Sequence, residues 1–487
     1  MSISIFIWWV AVMLFYGYRF LITRFYDVSL FELIYYTIMP LKGGNKGPFI
    51  KELPKTISFA VAGIVIPTVL YRVLLMRYGE SDVRSIMLLS AAIITVADIA
   101  MAFVHLHVLR FWILNLKASD VYENYYVDAK EADLIFPEKK RNLIYIFLES
   151  MESCYSSKGG GVTEYIPELT KLAMEGEDFS GAAPDTVKDS LSGESTEFID
   201  SGEINGAFAP PGATFTTGAM VAHMAGISID LQIRDKEEFL PGMTTIGDIL
   251  AKEGYEQRFL LGSDVYFGGR EPLIKQHGGY KVLDYKSAKR DGLIPEDYYL
   301  WWGFEDEKLF DFAKDELIEL SKGDKPFNMT LLTVDTHFLD GCRCRLCRDE
   351  FKEPYGNVLA CSSRQVEKFV EWIKQQDFYE NTTIVLAGDH PTMDSRFIKR
   401  AGLRDKERKS YVSFINAPLT AQDKKREYTT LDLFPTTLSS LGVKIPGNRL
   451  GLGVDLFSGE ETLYEKLGPE EFEKQFTRKS LFYRNFL

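Results

Sequence analysis

The sequence predicts an α/β protein in which a mostly parallel central sheet, with helices on both faces, follows a group of N-terminal transmembrane helices. Short apolar runs have the β-branched and aromatic content of buried strands, and helical patterns lie between them. Strands that alternate with helices indicate a parallel sheet covered on both faces. The strand patterns are residues 142–148, 257–261, 329–334, 383–387 and 411–415, and the clearest helical patterns are 246–253 and 363–375.

Residues 1–109 are predicted to form a membrane anchor. Three apolar stretches, at residues 1–22, 57–75 and 86–109, are each long enough to cross a bilayer. No small-residue cleavage pattern follows the first stretch, so we expect a retained anchor rather than a removed signal peptide. A buried core helix is the alternative for any one stretch, but three in succession with little polar sequence between them favour membrane spans.

Basic residues indicate the orientation of these spans. Arg77 and Arg84 lie in the short loop between the second and third stretches, which by the positive-inside rule places that loop in the cytoplasm. An odd number of spans then puts the remaining chain outside, whereas the basic residues between positions 24 and 55 favour the opposite orientation. We therefore expect a charged connector at residues 110–141 and an extracytoplasmic catalytic domain at residues 142–487.

Charge and cysteine content narrow the class of protein. The net charge of −13 argues against nucleic-acid binding, because such domains are usually basic along one face. Four of the five cysteines are close in sequence, and their CxC and CxxC spacings occur in structural zinc sites. Outside the cytoplasm two disulfides are the favoured interpretation, with zinc and free thiols as alternatives. The four cysteines are Cys342, Cys344, Cys347 and Cys361.

Polar side chains follow two of the predicted strands directly. Glu149 comes after the strand at 142–148, and Asp389 and His390 come after the strand at 383–387 and one glycine. Ligands of parallel sheets gather beyond the carboxyl ends of the strands, and carboxylates with an imidazole suit Mn²⁺, Mg²⁺ or Zn²⁺. The simpler alternatives are that Glu149 caps a helix and that Asp389 and His390 form an ordinary turn.

Two further segments carry possible catalytic groups. Thr216 and Thr217 precede a small, apolar, helix-compatible run, where a helix N-terminus can hold phosphate and a metal or base can activate a hydroxyl. The alternative for Thr216 is a helix cap. His337 follows the strand at 329–334 and could donate to a leaving oxygen or hold a phosphate. A lone histidine is more often structural.

The order of these motifs resembles that of the alkaline phosphatase-like superfamily. Its most similar branch contains the phosphoglycerol transferases of membrane-derived oligosaccharides and the lipoteichoic acid synthases. Each motif is weak alone, but the ordered set is specific and spans nearly the whole chain. The motifs are NLIYIFLESMES, FTTGAMVAHMAG, TTIGDILAKEGYEQRFLLGSDVYFGGR, LLTVDTHFLDG, VLAGDHPTM and LDLFPTTLSSLGVKIPGNRLGLGVDLF.

This resemblance implies roles for particular residues. Thr216 matches the nucleophile, with Thr217 as the second choice. Arg270 falls where relatives bind the phosphate of the transferred group, for which a guanidinium fork is well suited. His337 matches a substrate-binding histidine. The implied ligands of one divalent cation, for which Mn²⁺ is preferred over Mg²⁺ and Zn²⁺, are Glu149, Thr216, Asp389 and His390.

The resemblance also implies a reaction. A multi-pass protein of the bacterial inner membrane would move phosphoglycerol from phosphatidylglycerol to a glycan or glycolipid through a phosphothreonine intermediate. A phosphoethanolamine transferase, a phosphoester hydrolase and a catalytically silent sensor are the alternatives. No CxPxR context for formylglycine exists, which argues against a sulfate-ester hydrolase. Thr196 in ESTEF is similar to the nucleophile segment of lipoteichoic acid synthases, but we prefer Thr216.

Overall fold

The structure is a computed structural model that describes residues 3–24, 30–39, 42–44, 47–78, 80–181, 202–233, 238–421 and 425–487. The chain divides into two compact units. The first consists of Met1–Leu33, Asn45–Leu114 and Met393–Ser395, and the second consists of Ile34–Gly44, Asn115–Thr392 and Arg396–Leu487. The units are described separately below.

The first unit is helical, and three of its helices are long and apolar enough to cross a membrane. Large apolar side chains are exposed on the surface of these helices; Ile66 and Val104, for example, are 66% and 74% exposed. The predicted set of N-terminal apolar helices is therefore confirmed. The third span ends earlier than expected, because His107 adopts a positive φ of 48° and interrupts the helix. The helices of the first unit are α1 (Ile3–Arg24), α3 (Gly47–Arg77), α4 (Glu80–His105) and α5 (Val108–Leu114), whereas α2 (Leu30–Ile38) begins in this unit and continues in the second unit from Ile34.

Polar groups join these helices within the unit. The Trp8 indole Nε1 donates to the Gly63 carbonyl oxygen at 3.2 Å, and the Trp9 indole Nε1 donates to Thr68 Oγ1 at 3.1 Å. Gly63 allows this approach, because a side chain there would meet Val12 and Tyr16 of α1. Small residues and hydrogen bonds of this kind hold helices together in lipid, where the hydrophobic effect does not.

The second unit is built on a seven-stranded sheet within the described residues. Its strand order is β2-β7-β6-β1-β5-β3-β4, and the pairs from β6 to β4 are all parallel, whereas β7 runs antiparallel to β6 and to β2. The predicted mostly parallel sheet is confirmed. The strands are β1 (Asn142–Leu148), β2 (Gly206–Ala207), β3 (Glu256–Leu261), β4 (Lys281–Leu283), β5 (Phe327–Leu332), β6 (Thr382–Gly388) and β7 (Ser410–Ile415), followed by a small hairpin of β8 (Arg449–Leu450) and β9 (Gly453–Val454).

Helices cover both faces of this sheet. Every second side chain of β1, beginning at Ile144, packs in one core with residues of α7, α12 and α13, while Tyr145 and Phe147 contact His223 of α8 on the other face. Burial on both faces explains the continuous apolar strand patterns. The helices are α6 (Val121–Tyr125), α7 (Pro167–Glu175), α8 (Thr216–Ala225), α9 (Ile246–Lys252), α10 (Arg270–Gln276), α11 (Tyr285–Arg290), α12 (Asp306–Ser321), α13 (Pro354–Lys374), α14 (Ser395–Arg400), α15 (Leu433–Ser440) and α16 (Leu463–Thr477).

Candidate active site

Two neighbouring strands deliver the acidic residues of the site to one edge of the sheet. β1 pairs in parallel with β6, and Leu148 stands opposite Gly388. The residues that follow, Glu149 and Asp389, therefore leave the sheet side by side. His390 Nε2 lies 3.7 Å from Glu149 Oε1 and 3.4 Å from Asp389 Oδ2. All three side chains are buried and could together hold a metal ion; Glu149, Asp389 and His390 are called the metal triad below.

Ser150 fixes the orientation of both carboxylates. Its backbone N–H donates to Asp389 Oδ1 at 2.7 Å, and its hydroxyl donates to Glu149 Oε1 at 2.8 Å. These bonds require a tight turn directly after β1, where Ser150 has a φ of 53°, an uncommon value for a residue with a side chain. Strain of this kind is usually found where a site must be held in one geometry.

The electrostatics of the triad fit a divalent cation. Burial raises the pKa of Asp389 to about 7, and the nearby Glu149 charge adds to that increase. Burial also acts to raise the pKa of Glu149, but His337, His390, the Ser150 hydrogen bond and Arg270 together outweigh it, so this pKa is lowered. Asp389 Oδ2 is buried and has no hydrogen-bond partner among the described residues. Two carboxylates, one of which has an unpaired oxygen, and an imidazole are suitable ligands for Mn²⁺, Mg²⁺ or Zn²⁺.

Thr216 brings a hydroxyl to the triad from the start of α8. Its Oγ1 lies 3.4 Å from Glu149 Oε2 and 3.4 Å from His390 Nε2. The helix cap is Phe215, which is extended and makes no side-chain cap bond, so the Thr216 hydroxyl does not serve as the cap. Gly218 in the first turn is required, because a Cβ there would overlap the carbonyl oxygen of Gly212.

Thr217 faces in a different direction. Its side chain is buried, and its hydroxyl donates to the Gly268 carbonyl oxygen at 2.9 Å. Thr217 therefore links α8 to the turn before α10, whereas its neighbour Thr216 contacts the metal triad. Of the two threonines, only Thr216 directs its hydroxyl at the metal triad, and Thr217 acts as a structural hydrogen-bond donor.

Arg270 begins α10 after a glycine turn. Gly268 and Gly269 have positive φ values of 68° and 84°, so the backbone turns sharply directly before Arg270. Arg270 Nε donates to the Phe267 carbonyl oxygen at 3.0 Å, and Nη2 donates to the Asp264 carbonyl oxygen at 2.7 Å. Since both acceptors are neutral, these contacts orient the buried cation but leave its charge for an anion. Burial lowers the pKa of Arg270, and the charge of Glu149 opposes that shift.

His337 lies in the loop after β5. Its Nδ1 bonds to the Phe338 carbonyl oxygen at 2.8 Å, which assigns the proton to Nδ1 and leaves Nε2 as an acceptor. Burial lowers the pKa of His337, although the Glu149 charge opposes this effect, so the ring is neutral near pH 7. The ring packs against Trp302 with centroids 4.5 Å apart. The structure thus places His337 close enough to Glu149 for their charges to interact, and it leaves the ring Nε2 available.

Four residues near the site have no role predicted from the sequence. Ser150 orients both carboxylates, and it could have been noticed because it directly follows Glu149. His223 lies seven residues after Thr216, on the same face of α8, and burial with the charge of His390 lowers its pKa to about 3. Tyr35 donates to the Gly268 carbonyl oxygen at 2.9 Å. Neither Tyr35 nor Trp302 has a sequence signal. Thr196 lies outside the described residues.

The cysteines differ from the expectation. All five are free, so the two expected disulfides are not formed. Cys344 Sγ is 3.8 Å from Cys347 Sγ and 3.7 Å from Cys361 Sγ, well beyond the S–S bond of about 2.05 Å. The physical reason is that three sulfurs lie together and Cys342 lies outside this group. A group of three cannot be divided into disulfide pairs.

Comparison with known proteins establishes the family. The sequence model described as Sulfatase matches residues 141–443, which is more than half of the chain. The chain belongs to the sulfatase family. This sulfatase-family chain is 28% identical over 343 residues to a protein named Phosphoglycerol transferase I from Escherichia coli strain 55989, covering 68% of the chain and 41% of the relative. The chain thus spans about two fifths of the length of the curated relatives it matches.

Solved structures support the same fold for this sulfatase-family chain. A lipoteichoic acid synthase from Listeria monocytogenes superposes with a TM-score of 0.50 at 17% identity, covering 69% of this chain and 81% of that one. The integral membrane protein lipooligosaccharide phosphoethanolamine transferase A from Neisseria meningitidis gives 0.50 at 13% identity, covering 91% and 84%. The predicted superfamily resemblance and its fold are confirmed.

Proposed function

We propose that this protein transfers phosphoglycerol from phosphatidylglycerol to a hydroxyl of a glycan or glycolipid by way of a covalent intermediate on Thr216. The observation that carries the proposal is the Thr216 hydroxyl, which lies 3.4 Å from both Glu149 and His390 while Thr217 bonds elsewhere. The relative named Phosphoglycerol transferase I supports the choice of transferred group.

The metal triad and Thr216 would hold one divalent cation, for which Mn²⁺ is our first choice and Mg²⁺ or Zn²⁺ are alternatives. Such a cation favours the alkoxide of a threonine that is a poor nucleophile at its ordinary pKa. Ser150 holds both carboxylates in place, so these two groups need not reorganise when a cation is bound. Arg270 supplies a fixed positive charge for the phosphoryl oxygens.

The reaction has two displacements. In the first, Thr216 Oγ1 forms a bond to phosphorus, the bond from phosphorus to the diacylglycerol oxygen breaks, and the threonine proton ends on diacylglycerol. In the second, an acceptor hydroxyl bonds to phosphorus, the Thr216 ester breaks, and the proton returns to Thr216. His337, neutral with Nε2 as an acceptor, is suited to relay the proton of the acceptor hydroxyl.

The membrane helices agree with this donor, since phosphatidylglycerol is itself held in the bilayer. Three helices are long and apolar enough to cross a membrane, and we propose that the sheet-containing unit lies on the outer side of the bacterial inner membrane. Anchoring raises the local concentration of a lipid substrate without any additional binding contact.

The test compares two adjacent threonines in the full-length protein. Thr216→Ala should reduce diacylglycerol release from labelled phosphatidylglycerol by about 10³-fold or more, because the nucleophile is removed. Thr217→Ser keeps the donor to Gly268 and should retain activity near that of the unaltered protein. Undiminished release by Thr216→Ala would reject the proposal.

Product analysis separates the alternative reactions of the same site. Labelled phosphatidylglycerol and phosphatidylethanolamine are each supplied with and without a glycan panel. Label on the glycan from phosphatidylglycerol supports the proposal. Label only from phosphatidylethanolamine identifies a phosphoethanolamine transferase, and free phosphoglycerol at a rate independent of glycan identifies a hydrolase.

A further inference from the structure

Three cysteines converge in the second unit at a place that shares no residue with the candidate active site. Cys344 and Cys347 lie in the loop after β5, on either side of a two-residue turn, and Cys361 lies on α13. Their sulfurs are all within 4.8 Å of one another. These three residues are called the cysteine triad below.

The spacing of the sulfurs matches a tetrahedral metal site. With Zn–S bonds of about 2.3 Å and tetrahedral angles, two ligand sulfurs lie about 3.8 Å apart. The observed separations are 3.8 Å for Cys344 and Cys347 and 3.7 Å for Cys344 and Cys361. A disulfide would join only two of the three sulfurs and would leave the third buried or half-buried beside it.

One buried side-chain donor is directed at the cysteine triad. Gln365, one turn after Cys361 on α13, directs its side-chain Nε2 to Cys361 Sγ at 3.5 Å and to Cys344 Sγ at 4.0 Å. It keeps this orientation although its own Oε1 is buried without a partner among the described residues. Donors directed at sulfur stabilise thiolates, which is the form that binds metal.

We propose that Cys344, Cys347 and Cys361 bind a zinc-type divalent cation as three thiolates, with water in the fourth position. Sulfur ligands select Zn²⁺ over Mg²⁺ or Mn²⁺, so this site differs in metal preference from the metal triad. The metal assignment itself is independent of the proposed function, because its three ligands are not used by the proposed reaction; only its effect on His337 rests on that function.

The cation would fasten the loop after β5 to α13. The same loop carries His337, and Tyr355 of α13 donates to the Thr336 carbonyl oxygen at 2.5 Å. The cysteine triad provides a second attachment between the two segments, on the far side of His337 in sequence. The bound cation is therefore expected to act as a positioning element for His337 rather than as part of the reaction.

The test uses cobalt as a spectroscopic probe in the full-length protein, purified in detergent without reductant and loaded with Co²⁺. We expect a thiolate-to-cobalt charge-transfer band, its loss in Cys361→Ser and Cys347→Ser, and its retention in Cys342→Ser. Cys342 is the matched control because it is buried in the same loop but lies outside the triad. Asp389→Asn, which alters only the metal triad, should also retain the band.

Zinc content gives a second measurement. After purification with Zn²⁺, Cys361→Ser should contain one equivalent less zinc than Cys342→Ser. If the serine variants do not fold, the unaltered protein alone decides the question. Absence of the charge-transfer band would overturn the proposal. A disulfide between any two triad cysteines, mapped by mass spectrometry of unreduced peptides, would also overturn it.

Discussion

The metal triad and the cysteine triad are two buried clusters that are assembled in different ways. The metal triad stands where β1 and β6 end, and the register of these paired strands brings Glu149 beside Asp389. The cysteine triad instead joins a loop to a helix, and no sheet register sets its geometry. Strand ends can be recognised in a sequence, whereas the packing of a loop on a helix cannot. This difference explains why the sequence predicts the first cluster directly, whereas for the four clustered cysteines it favours two disulfides and leaves zinc as an alternative.

The two clusters also differ in chemistry. Carboxylate oxygens with an imidazole suit hard or borderline cations, and thiolates suit softer ones. If both assignments hold, each cluster should lose its own cation without affecting the other. The predictions that follow separate the clusters, beginning with the largest expected effect.

Asp389→Asn should have the largest effect on activity. The substitution leaves a neutral amide where a carboxylate with a free oxygen faces Glu149 and His390. We expect a fall in kcat of about 10³-fold or more and loss of one Mn²⁺ equivalent, measured by turnover and elemental analysis. The cobalt–thiolate band of the cysteine triad should persist, and its loss would show that the clusters are coupled.

Arg270→Lys should have the next largest effect. Lysine keeps the charge but not the planar fork, and it cannot bond to the carbonyl oxygens of both Phe267 and Asp264 in the same geometry. We expect kcat/KM for phosphatidylglycerol to fall by about 10- to 100-fold, corresponding to about 1.4–2.8 kcal/mol. The control is Arg258→Lys on β3, where Arg258 pairs with Glu316 of α12. An equal loss in both variants would contradict the assignment.

Cys361→Ser should lower the thermal stability of the protein more than it lowers the rate of the reaction. A crosslink between residues 17 apart contributes about 3 kcal/mol in a chain-entropy estimate, so Tm should fall by several °C. Cys342→Ser should shift Tm much less. KM should rise more than kcat falls, because His337 is positioned and not removed. A collapse of kcat at unchanged Tm would assign the cysteine triad a catalytic role.

Tyr355→Phe should have the smallest effect. It removes the bond to the Thr336 carbonyl oxygen and leaves that buried acceptor without this donor, at a cost of about 1 kcal/mol. Denaturant unfolding should show this change, and Tyr299→Phe at an exposed position should not. Catalytic activity should remain close to that of the unaltered protein at low temperature.

Several features of the fold were accessible from the sequence because they depend on local patterns. The apolar runs predicted β1 and β6, and the polar residues that follow these strands are the ones the structure brings together. The predicted start of α13 is wrong: the helical pattern begins at residue 363, but the helix begins at Pro354, a favourable first position for proline. That earlier start places Cys361 on the helix, facing Cys344.

Other features depend on contacts between distant segments. The positive φ of Ser150 follows from its two bonds to the carboxylates, which no propensity predicts. The segment Ile34–Gly44 belongs to the second unit, where Tyr35 packs on Phe215 with ring centroids 4.4 Å apart. Its position before the membrane-type helix α3 gave no indication of that contact.

Anomalous diffraction from crystals of the full-length protein, grown with Mn²⁺, tests the central claim most directly. The account predicts a manganese peak bounded by Glu149, Asp389, His390 and the hydroxyl of Thr216. A well-ordered map in which these four side chains surround no anomalous peak, or in which Thr216 faces away from them, would contradict it.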